Sequence, residues 1–448
     1  MDDVEDEPGE GKPAAVLEAA KQAGGTYARW AWAEPVVWTK RMLTALIEGV
    51  KGGKWFSLID KVWTPANLRR GFYQVKANRG AAGVDHQSIG EFEAHLEPSV
   101  EKLSQALREG SYRPQAVRRT WIEKLGSREK RPLGIPTVRD RVVQAALRNV
   151  IEPIFERDFA EHSYGFRPNR GAKDALRRVN HLLQGGYNWV VDADLKSYFD
   201  TIPHESLMER VGEKVADGKV LELIGLFLSQ PIMESMRNWI PSGGTPQGAV
   251  LSPLLSNIYL DPLDHAMQEA GIEMVRYADD FVLLCRSEAE AREALERVRQ
   301  WVESAGLTLH PDKTRVVDAT QPGGFDFLGY HFERGYRWPR QKSLRKFKDT
   351  IRGKTRRTDG HSLQFLIGRL HAVLRGWFEY FKHSHKTTFP PLDGWIRMRL
   401  RSMLRRRRGR RGPARGADHQ RWPIAFFAQQ GLFSLTTAHA AARQSSRR

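Results

Sequence analysis

Hydrophobic and polar residues alternate along this chain with two periods, one typical of helices and one typical of strands. From Ser287 to Gly306, apolar residues recur every three or four positions, Ser287 and Glu290 match a capping box, and Gly306 ends the pattern. The segment from Ser362 to Phe381 has the same spacing. We expect a helix in each segment and a mixed fold of helices and strands overall.

Two short apolar segments end in acidic residues. Residues 188–194 are typical of a buried strand, with Asp192 and Asp194 on one face because they lie two positions apart. Residues 274–285 predict a β-hairpin whose turn carries Asp279 and Asp280. An ionised carboxylate on a core strand requires a cationic partner or a metal ion. A structural ion pair for the strand, and an ordinary turn for the hairpin acids, are the alternatives.

Proline- and glycine-rich breaks separate these segments from others. They lie at residues 322–324, near Pro339 and at residues 390–391. Such residues interrupt helices and strands, so we expect domain boundaries at these points.

The composition is that of a folded, basic protein. Its 448 residues carry a formal net charge of +18, and 40% of them are hydrophobic, which is too many for a disordered chain. The single cysteine, Cys285, excludes disulfide scaffolds, iron–sulfur clusters and zinc sites built on several thiolates. No apolar run of about 18 residues occurs, and the first dozen residues are acidic, unlike a secretory or transit signal. We expect a soluble intracellular protein that does not contact membranes.

Basic residues concentrate in residues 394–448, which contain 14 arginines and a single acid, Asp418. The densest run consists of Arg405, Arg406, Arg407 and Arg408. A solvated tail is the alternative, but apolar residues such as Trp422 and Phe427 follow the run and favour folding. We expect a small basic domain that binds nucleic acid, because arginine makes forked contacts with phosphate.

The acids Asp194, Asp279 and Asp280 form a candidate metal site if their two segments meet. In nucleotidyl transfer, two divalent ions roughly 3.5–4 Å apart activate the attacking 3′-oxygen and stabilise the leaving pyrophosphate. Carboxylate oxygens suit Mg²⁺, whereas zinc is expected to recruit histidine or cysteine, neither of which is among these three residues. The sequence therefore favours a site for two Mg²⁺ ions.

The blocks around these acids resemble bacterial group II intron-encoded reverse transcriptases/maturases. The sequence Tyr-Ala-Asp-Asp at residues 277–280 is similar to the reverse transcriptase signature. The blocks that accompany it, in the family's order, lie at residues 67–85, 131–136, 163–168, 194–200, 244–248, 309–314 and 327–330. No single block is decisive, but their shared order spans most of the chain and is highly specific.

The resemblance implies a right-hand polymerase fold of the α/β (α+β) class, with fingers, palm, helical thumb and a small basic carboxyl-terminal domain. The implied ranges are an acidic leader and amino-terminal extension at 1–50, fingers at 51–187, catalytic palm at 188–335, thumb or maturase domain X at 336–393, and a DNA-binding region at 394–448. The class would be the compact one without an endonuclease domain, because no cysteine follows Cys285.

By the same resemblance, three groups of residues acquire roles in polymerisation. The implied catalytic metal ligands are Asp194, Asp279 and Asp280. The residues that support them in the palm are Asp192, Tyr277 and Lys313. The residues at the incoming dNTP are Lys124, Arg131, Phe199 and Gln247. Phe199 matches the steric gate against a ribose 2′-hydroxyl, and Lys124 and Arg131 match the cations that grip the triphosphate.

Plainer alternatives exist for these roles. Phe199 is equally well explained by core packing, Gln247 by a turn, and Lys124, Arg131 and Lys313 by surface cations or ion pairs. The arginines expected to contact RNA or DNA are Arg167, Arg369, Arg375, Arg405, Arg406, Arg407 and Arg408.

Two residues depart from the family's pattern. Glu123 stands where proline is usual, and Ala249 stands where a second glycine is usual. These departures bear on the geometry of the fingers loop and leave the metal-binding acids untouched.

These features predict an RNA-directed DNA polymerase that copies intron RNA into cDNA and acts as a maturase in splicing and mobility. The expected partners are group II intron RNA, an RNA template with a DNA or RNA primer, dNTPs and target DNA, in the bacterial cytoplasm or at its nucleoid. One alternative is an RNA-binding splicing factor that has lost polymerase activity, although three neighbouring carboxylates without metal would repel one another. Another is a non-intron reverse transcriptase of the retron, diversity-generating, CRISPR-associated or phage-defence kind.

Overall fold

A computed structural model describes residues 28–123, 130–234, 237–410 and 412–445. Helices dominate its amino-terminal part: α1 (Lys40–Glu48), α2 (Ile59–Val62), α3 (Pro65–Ala77), α4 (Ile89–Ala94), α5 (Leu96–Glu109) and α6 (Val138–Glu156). Helix α6 is buried on nearly every side, with Val142, Leu147 and Val150 fully covered. The amide of Asn67 in α3 donates to the carbonyl of Ala146 at 2.9 Å, which ties these two helices together.

The first sheet combines two hairpins that are distant in sequence. Strand β1 (Val117–Glu123) pairs antiparallel with β2 (Lys130–Ile135). The second hairpin is formed by β4 (Ile232–Glu234) and β5 (Arg237–Trp239), which pair antiparallel. Because β4 pairs parallel with β1, the strand order is β2-β1-β4-β5. A segment predicted to belong to the palm therefore completes the fingers sheet.

The central sheet is antiparallel and carries the predicted acids. Its strands are β3 (Trp189–Asp194), β6 (Glu273–Tyr277), β7 (Asp280–Cys285) and β8 (Arg315–Asp318), in the order β6-β7-β3-β8. One face, with Val191 and Leu283, packs in a core that includes helices α11 (Ser252–Glu269) and α12 (Glu288–Ser304). The opposite face, with Val190 and Leu284, packs on α7 (Ala172–Gln184). Three short helices complete this region: α8 (Tyr198–Thr201), α9 (His204–Gly212) and α10 (Gly218–Leu228).

A third sheet joins the palm to the thumb. It consists of β9 (Phe325–Phe327), β10 (Tyr330–Glu333) and β11 (Tyr336–Pro339), in the order β11-β10-β9. Phe325, Phe327 and Tyr330 are buried in the same cluster as Val190 of the central sheet. The helical elements that follow are α13 (Gln341–Lys354), α14 (Leu363–Phe381), a 3-10 turn (Lys386–Thr388), α15 (Phe389–Arg407), α16 (Gly416–Arg421), α17 (Ile424–Gln429) and α18 (Leu435–Ser445).

The thumb and the basic carboxyl-terminal segment share one hydrophobic core. Ile351, Leu370, Leu400 and Phe427 belong to a single buried cluster. At the other end of this core, buried Asp393 accepts hydrogen bonds from the backbone amides that start α18, each at 3.0 Å. The small basic domain expected at 394–448 thus packs its apolar side chains into the thumb core. No helix in the described part of the chain is both long and apolar enough to cross a membrane.

Most predicted elements are confirmed. The two helices appear as α12 and α14, with Ser287 and Ser362 as their N-caps. The predicted capping box is incomplete, because Glu290 accepts from the amide of Arg286 at 3.0 Å. The strand at residues 188–194 and the hairpin at 274–285 are present as β3 and as β6 with β7.

The predicted boundaries fit less well. Prolines 390 and 391 lie in the first turn of α15, where proline is tolerated and does not break a helix. The boundary at residue 335 falls in the turn of the β10–β11 hairpin, and the boundary at 393 falls inside α15. The break at residues 322–324 connects β8 to β9, which pack in one cluster. Along the chain, the buried cluster that contains Phe332 is followed by the cluster that contains Phe347, and the predicted breaks at residue 335 and near Pro339 lie between them.

Candidate active site

The strand register brings the predicted acids to one edge of the central sheet. Asp194, the last residue of β3, lies directly opposite Asp280, the first residue of β7. Residues paired in this way have side chains on the same face, with Cβ atoms about 4.5–5.5 Å apart. Asp279 occupies the two-residue turn between β6 and β7, and Asp192 lies one pleat further from the edge than Asp194. The two acidic segments therefore meet as the sequence predicted.

The turn that carries Asp279 has a strained backbone. Ala278 adopts a φ of +60°, in the left-handed region that residues with a Cβ atom rarely enter. The backbone of Gly165 lies against this turn so closely that a Cβ atom on Gly165 would stand 2.2 Å from the Ala278 nitrogen. A residue larger than glycine at position 165 would therefore collide with the turn that carries Asp279. The residues around it lie beside the hairpin, where the amide of Tyr164 donates to the carbonyl of Arg276 at 2.8 Å.

Buried Arg276 fixes the turn from below. Its guanidinium donates to the carbonyl of Ala278 at 3.0 Å and to the side chain of Asn257 at 3.0 Å. It also donates to Asp264 from Nε at 2.8 Å, while Asn257 donates to the carbonyl of Gly165 at 2.8 Å. With 1% of its side chain exposed, Arg276 serves this network and is withheld from substrate. Sequence reasoning missed these residues, although Arg276 directly precedes the Tyr-Ala-Asp-Asp block.

The clustered carboxylates perturb one another. Burial, and then the charges of Asp192, Asp279 and Asp194, raise the pKa of Asp280 from 3.8 to about 7. Burial also raises the pKa of Asp192, and the nearby guanidinium of Arg315, at 3.4 Å, opposes that effect. A divalent cation would relieve this repulsion, since it would compensate several negative charges at once.

Lys313 reaches the cluster from a neighbouring turn. Its ammonium donates to a carboxylate oxygen of Asp194, and the amide of His310 donates to the backbone carbonyl of Asp194 at 2.7 Å. The prediction of a palm lysine beside the active site and its alternative, an ion pair, therefore describe one contact. Among the described residues, no three acidic, histidine or cysteine side chains already form a cage for a metal ion. The donor set still fits Mg²⁺, because it consists of carboxylate oxygens. One of these oxygens, on Asp194, is engaged by Lys313 in this structure.

Phe199, the predicted steric gate, lies next to the segment that contains Gln247. Phe199 is 8% exposed, and its backbone carbonyl accepts from the amide of Thr245 at 2.6 Å. Two residues further on, the carbonyl of Gln247 accepts from the amide of Gly134 in the fingers strand β2 at 2.7 Å. A groove of about 820 Å³ runs between Phe199, Thr245 and the fingers sheet. Phe199 is thus packed in the core, as its alternative held, while it borders an open groove.

Lys124, Arg131 and Arg167 were also predicted to bind nucleotides or nucleic acid. Lys124 and the side chain of Arg131 lie outside the part of the chain that the structure describes. The prediction that Arg167 contacts RNA or DNA is wrong for this conformation, because its side chain is only 1% exposed. It donates to Glu156 from Nη2 at 2.8 Å and to the carbonyl of Ser163 at 2.8 Å. Arg167 therefore anchors the segment that packs against the turn carrying Asp279.

The thumb arginines divide into two groups. Arg405 is paired with Asp418 at 2.7 Å and is 13% exposed, so it joins helices α15 and α16. Arg407 donates to the carbonyls of the loop that precedes α14. Arg369 is half-buried and pairs with Asp359 at 3.4 Å. The predicted arginines that are exposed to solvent are Arg375, Arg406, Arg407 and Arg408.

Two protein families match the chain. The family described as reverse transcriptase (RNA-dependent DNA polymerase) matches residues 122–332, which include the central sheet and strands β2, β4 and β5 of the fingers sheet. The family described as group II intron, maturase-specific domain, matches residues 344–422, which include α14 and α15 of the thumb. Both matches follow the order that the sequence blocks indicated.

Individual relatives agree with these families. Group II intron-encoded protein LtrA of Lactococcus lactis subsp. cremoris is 39% identical over 216 residues, which are 46% of this chain and 35% of LtrA. Protein YkfC of Escherichia coli (strain K12) is 34% identical over 291 residues, which are 56% of this chain and 76% of YkfC. The chain thus spans about a third of LtrA and three quarters of YkfC. A solved partial Cas6-RT-Cas1–Cas2 complex covers 55% of this chain and 41% of its own, at 26% identity and a TM-score of 0.37.

Proposed function

Because the chain belongs to the family of group II intron-encoded reverse transcriptases and maturases, we propose that it copies RNA into DNA and assists the splicing of its intron. The observation that carries the polymerase activity is the register that places Asp194 opposite Asp280 beside the turn with Asp279. We propose the bacterial cytoplasm, at the nucleoid, as its place of action.

The reverse transcriptase family uses divalent metal ions, and we propose Asp194, Asp279 and Asp280 as the ligands of two Mg²⁺ ions. Bound there, these ions would supply the charge that activates a primer 3′-hydroxyl and stabilises the leaving pyrophosphate. The chain's own contribution is to hold three carboxylates at one sheet edge, with Arg276 and Gly165 fixing the turn between them. Such fixed geometry lowers the cost of organising the transition state.

Residues around the acids select and place the nucleotide. We propose that Phe199 blocks a ribose 2′-hydroxyl and that Gln247, tied through its carbonyl to β2, borders the nascent base pair. Lys313 holds Asp194 through a carboxylate oxygen that would also be available to a bound magnesium ion. Lys124 and Arg131 remain predicted ligands of the triphosphate.

The maturase activity is proposed for the thumb and the basic helices that complete its core. These helices carry arginines on the surface, including Arg375, Arg406 and Arg408, and arginine forms planar contacts with phosphate. Group II intron RNA, the RNA template with its primer, dNTPs and target DNA are the partners that this function requires.

Primer extension on an RNA template tests the polymerase. The full chain should extend a DNA primer with dNTPs and Mg²⁺, and Asp279→Ala should reduce the yield by at least about a thousandfold, since it removes a ligand from the reacting centre. Glu293→Ala, which removes an exposed carboxylate on α12, is the matched control and should retain wild-type yield. Equal yields from wild type and Asp279→Ala would contradict the assignment.

A splicing assay separates the second activity from the first. Asp279→Ala should promote splicing of the cognate intron RNA as the wild type does, because RNA binding does not need the metal site. Replacing Arg406 and Arg408 together with glutamine should weaken splicing while the metal site stays intact. If Asp279→Ala lost both activities in a folded protein, the separation of the two roles would be wrong.

A further inference from the structure

The thumb ends in a tip that lies far from the catalytic acids. Helix α13 starts at the palm, where the amide of Arg340 donates to the carbonyl of Gly329 at 2.9 Å. It then runs for 14 residues, roughly 20 Å at 1.5 Å per residue. Helix α14 returns to the palm, where the hydroxyl of Tyr380 donates to the carbonyl of Leu328 at 2.7 Å. We call this end of the thumb the thumb tip. It comprises the loop between the two helices with the first two turns of α14 (residues 355–369), and the end of α15 with the residues that follow it (residues 404–410).

Flat side chains form a stack on the thumb tip. Phe365, in the first turn of α14, is 49% exposed. The ring of His361 stacks on it with centroids 4.5 Å apart and an angle of 17° between planes. The guanidinium of Arg369 lies 5.8 Å from the Phe365 centroid. A single exposed ring is common on protein surfaces; the distinctive feature here is that two other flat side chains lie beside it.

A single carboxylate holds the stack in place. Asp359 accepts from Nδ1 of His361 at 2.6 Å and lies 3.4 Å from Nη1 of Arg369. Arg407, at the end of α15, donates to the carbonyl of Asp359 at 3.4 Å and also to that of His361. The flat groups are thus positioned by the protein before any ligand binds.

The charge around the stack is strongly positive. Asp359 is the only acid in the thumb tip, and His361 and Arg369 already engage its carboxylate. Arg356, Arg357, Arg406 and Arg408 are exposed around it. Exposed rings among arginines suit a polyanion that carries flat, stackable groups, and nucleic acid combines both properties. In RNA, such groups become available where bases are unpaired in loops and bulges.

We propose that the thumb tip binds an unpaired base of RNA, which extends the stack of His361 and Phe365 while the surrounding arginines hold the flanking phosphates. This inference rests on the proposed function in taking RNA as the partner. It adds the chemical class of the contact, a single-stranded base, at a place about 20 Å from the palm along α13.

Fluorescence anisotropy with the full chain, without dNTPs, tests this inference. The probe is an RNA hairpin with 2-aminopurine in its loop, compared with the same strand fully paired to its complement and with a DNA hairpin of the same sequence. Phe365→Ala should weaken binding of the RNA loop about tenfold or more, and Phe365→Tyr should restore it, since either ring stacks. The paired RNA should bind both variants as it binds wild type. Ile424→Ala, which removes an apolar side chain from α17 that is even more exposed than Phe365, is the matched control.

The salt dependence separates stacking from charge. Phe365→Ala should keep the wild-type slope of log affinity against log salt, whereas Arg356→Gln should reduce that slope by about one. Unchanged loop binding by Phe365→Ala, or an equal loss for loop and paired RNA, would overturn the inference. Equal affinity for the DNA loop would overturn the assignment to RNA. Because no synthesis occurs in the assay, these outcomes are independent of primer extension by the same protein.

Discussion

Replacing Asp280 with asparagine should stabilise the metal-free protein while it abolishes cDNA synthesis. Burial and three neighbouring carboxylates raise the pKa of Asp280 from 3.8 to about 7. A difference of about three pKa units corresponds to about 4 kcal/mol at 1.36 kcal/mol per unit, which is an upper limit because solvent reaches part of the cluster. Asparagine keeps the shape of the side chain and removes the charge. The free energy of unfolding of the variant should therefore exceed that of the wild type by up to this amount, which raises Tm by roughly several degrees.

The gain in stability from Asp280→Asn should depend on pH. A carboxyl group whose pKa is higher in the folded state stabilises the protein below about pH 4, and that contribution is lost as the pH rises to about 7. The advantage of Asp280→Asn over wild type should accordingly be small near pH 4, grow with pH and reach its full size above pH 7. In the presence of Mg²⁺, the difference in stability between the variant and the wild type should shrink or change sign, because the ion stabilises only a site that retains its ligands.

Thermal unfolding in EDTA at several pH values between 4 and 8, repeated with Mg²⁺, provides the measurement. Asp349→Asn, which removes an exposed carboxylate from α13, is the matched control and should show no such pH dependence. The reasoning is refuted if Asp280→Asn is no more stable than wild type at pH 8 in EDTA. It is also refuted if the gain is as large at pH 4 as at pH 8.

Three further predictions concern the surroundings of the acids. Lys313→Met should lower the Mg²⁺ concentration that half-saturates the protein in calorimetry, because it frees an oxygen of Asp194; a higher concentration would contradict this. Asp264→Asn leaves buried Arg276 without its anionic partner and should cost about 3–5 kcal/mol in denaturant unfolding, so a cost below about 1 kcal/mol would refute the network. Phe199→Ala should lower the ratio of kcat/KM for dNTPs over ribonucleotides at least about tenfold, and an unchanged ratio would exclude a gate at this position.

The sequence alone determined the elements that carry the chemistry. Alternation and period predicted β3, the β6–β7 hairpin and both long helices, because the spacing of apolar residues along the chain shows which side of each element is buried. The Tyr-Ala-Asp-Asp block and the order of its companions predicted the family, which the matches confirmed. Lys313 was also predicted beside the acids, and it contacts Asp194.

Only the tertiary structure decided which distant segments share a core or a sheet. The β4–β5 hairpin adds to the fingers sheet across more than a hundred residues of chain, and the small basic domain that the composition predicted shares its core with the thumb. Charge likewise did not reveal that Arg167 and Arg276 are buried while Arg406 is exposed, because a guanidinium can enter the interior wherever a carboxylate and backbone carbonyls meet it. Periodicity depends on neighbours in sequence, whereas these partners are neighbours only in space, and that difference sets the limit of what the sequence by itself determined.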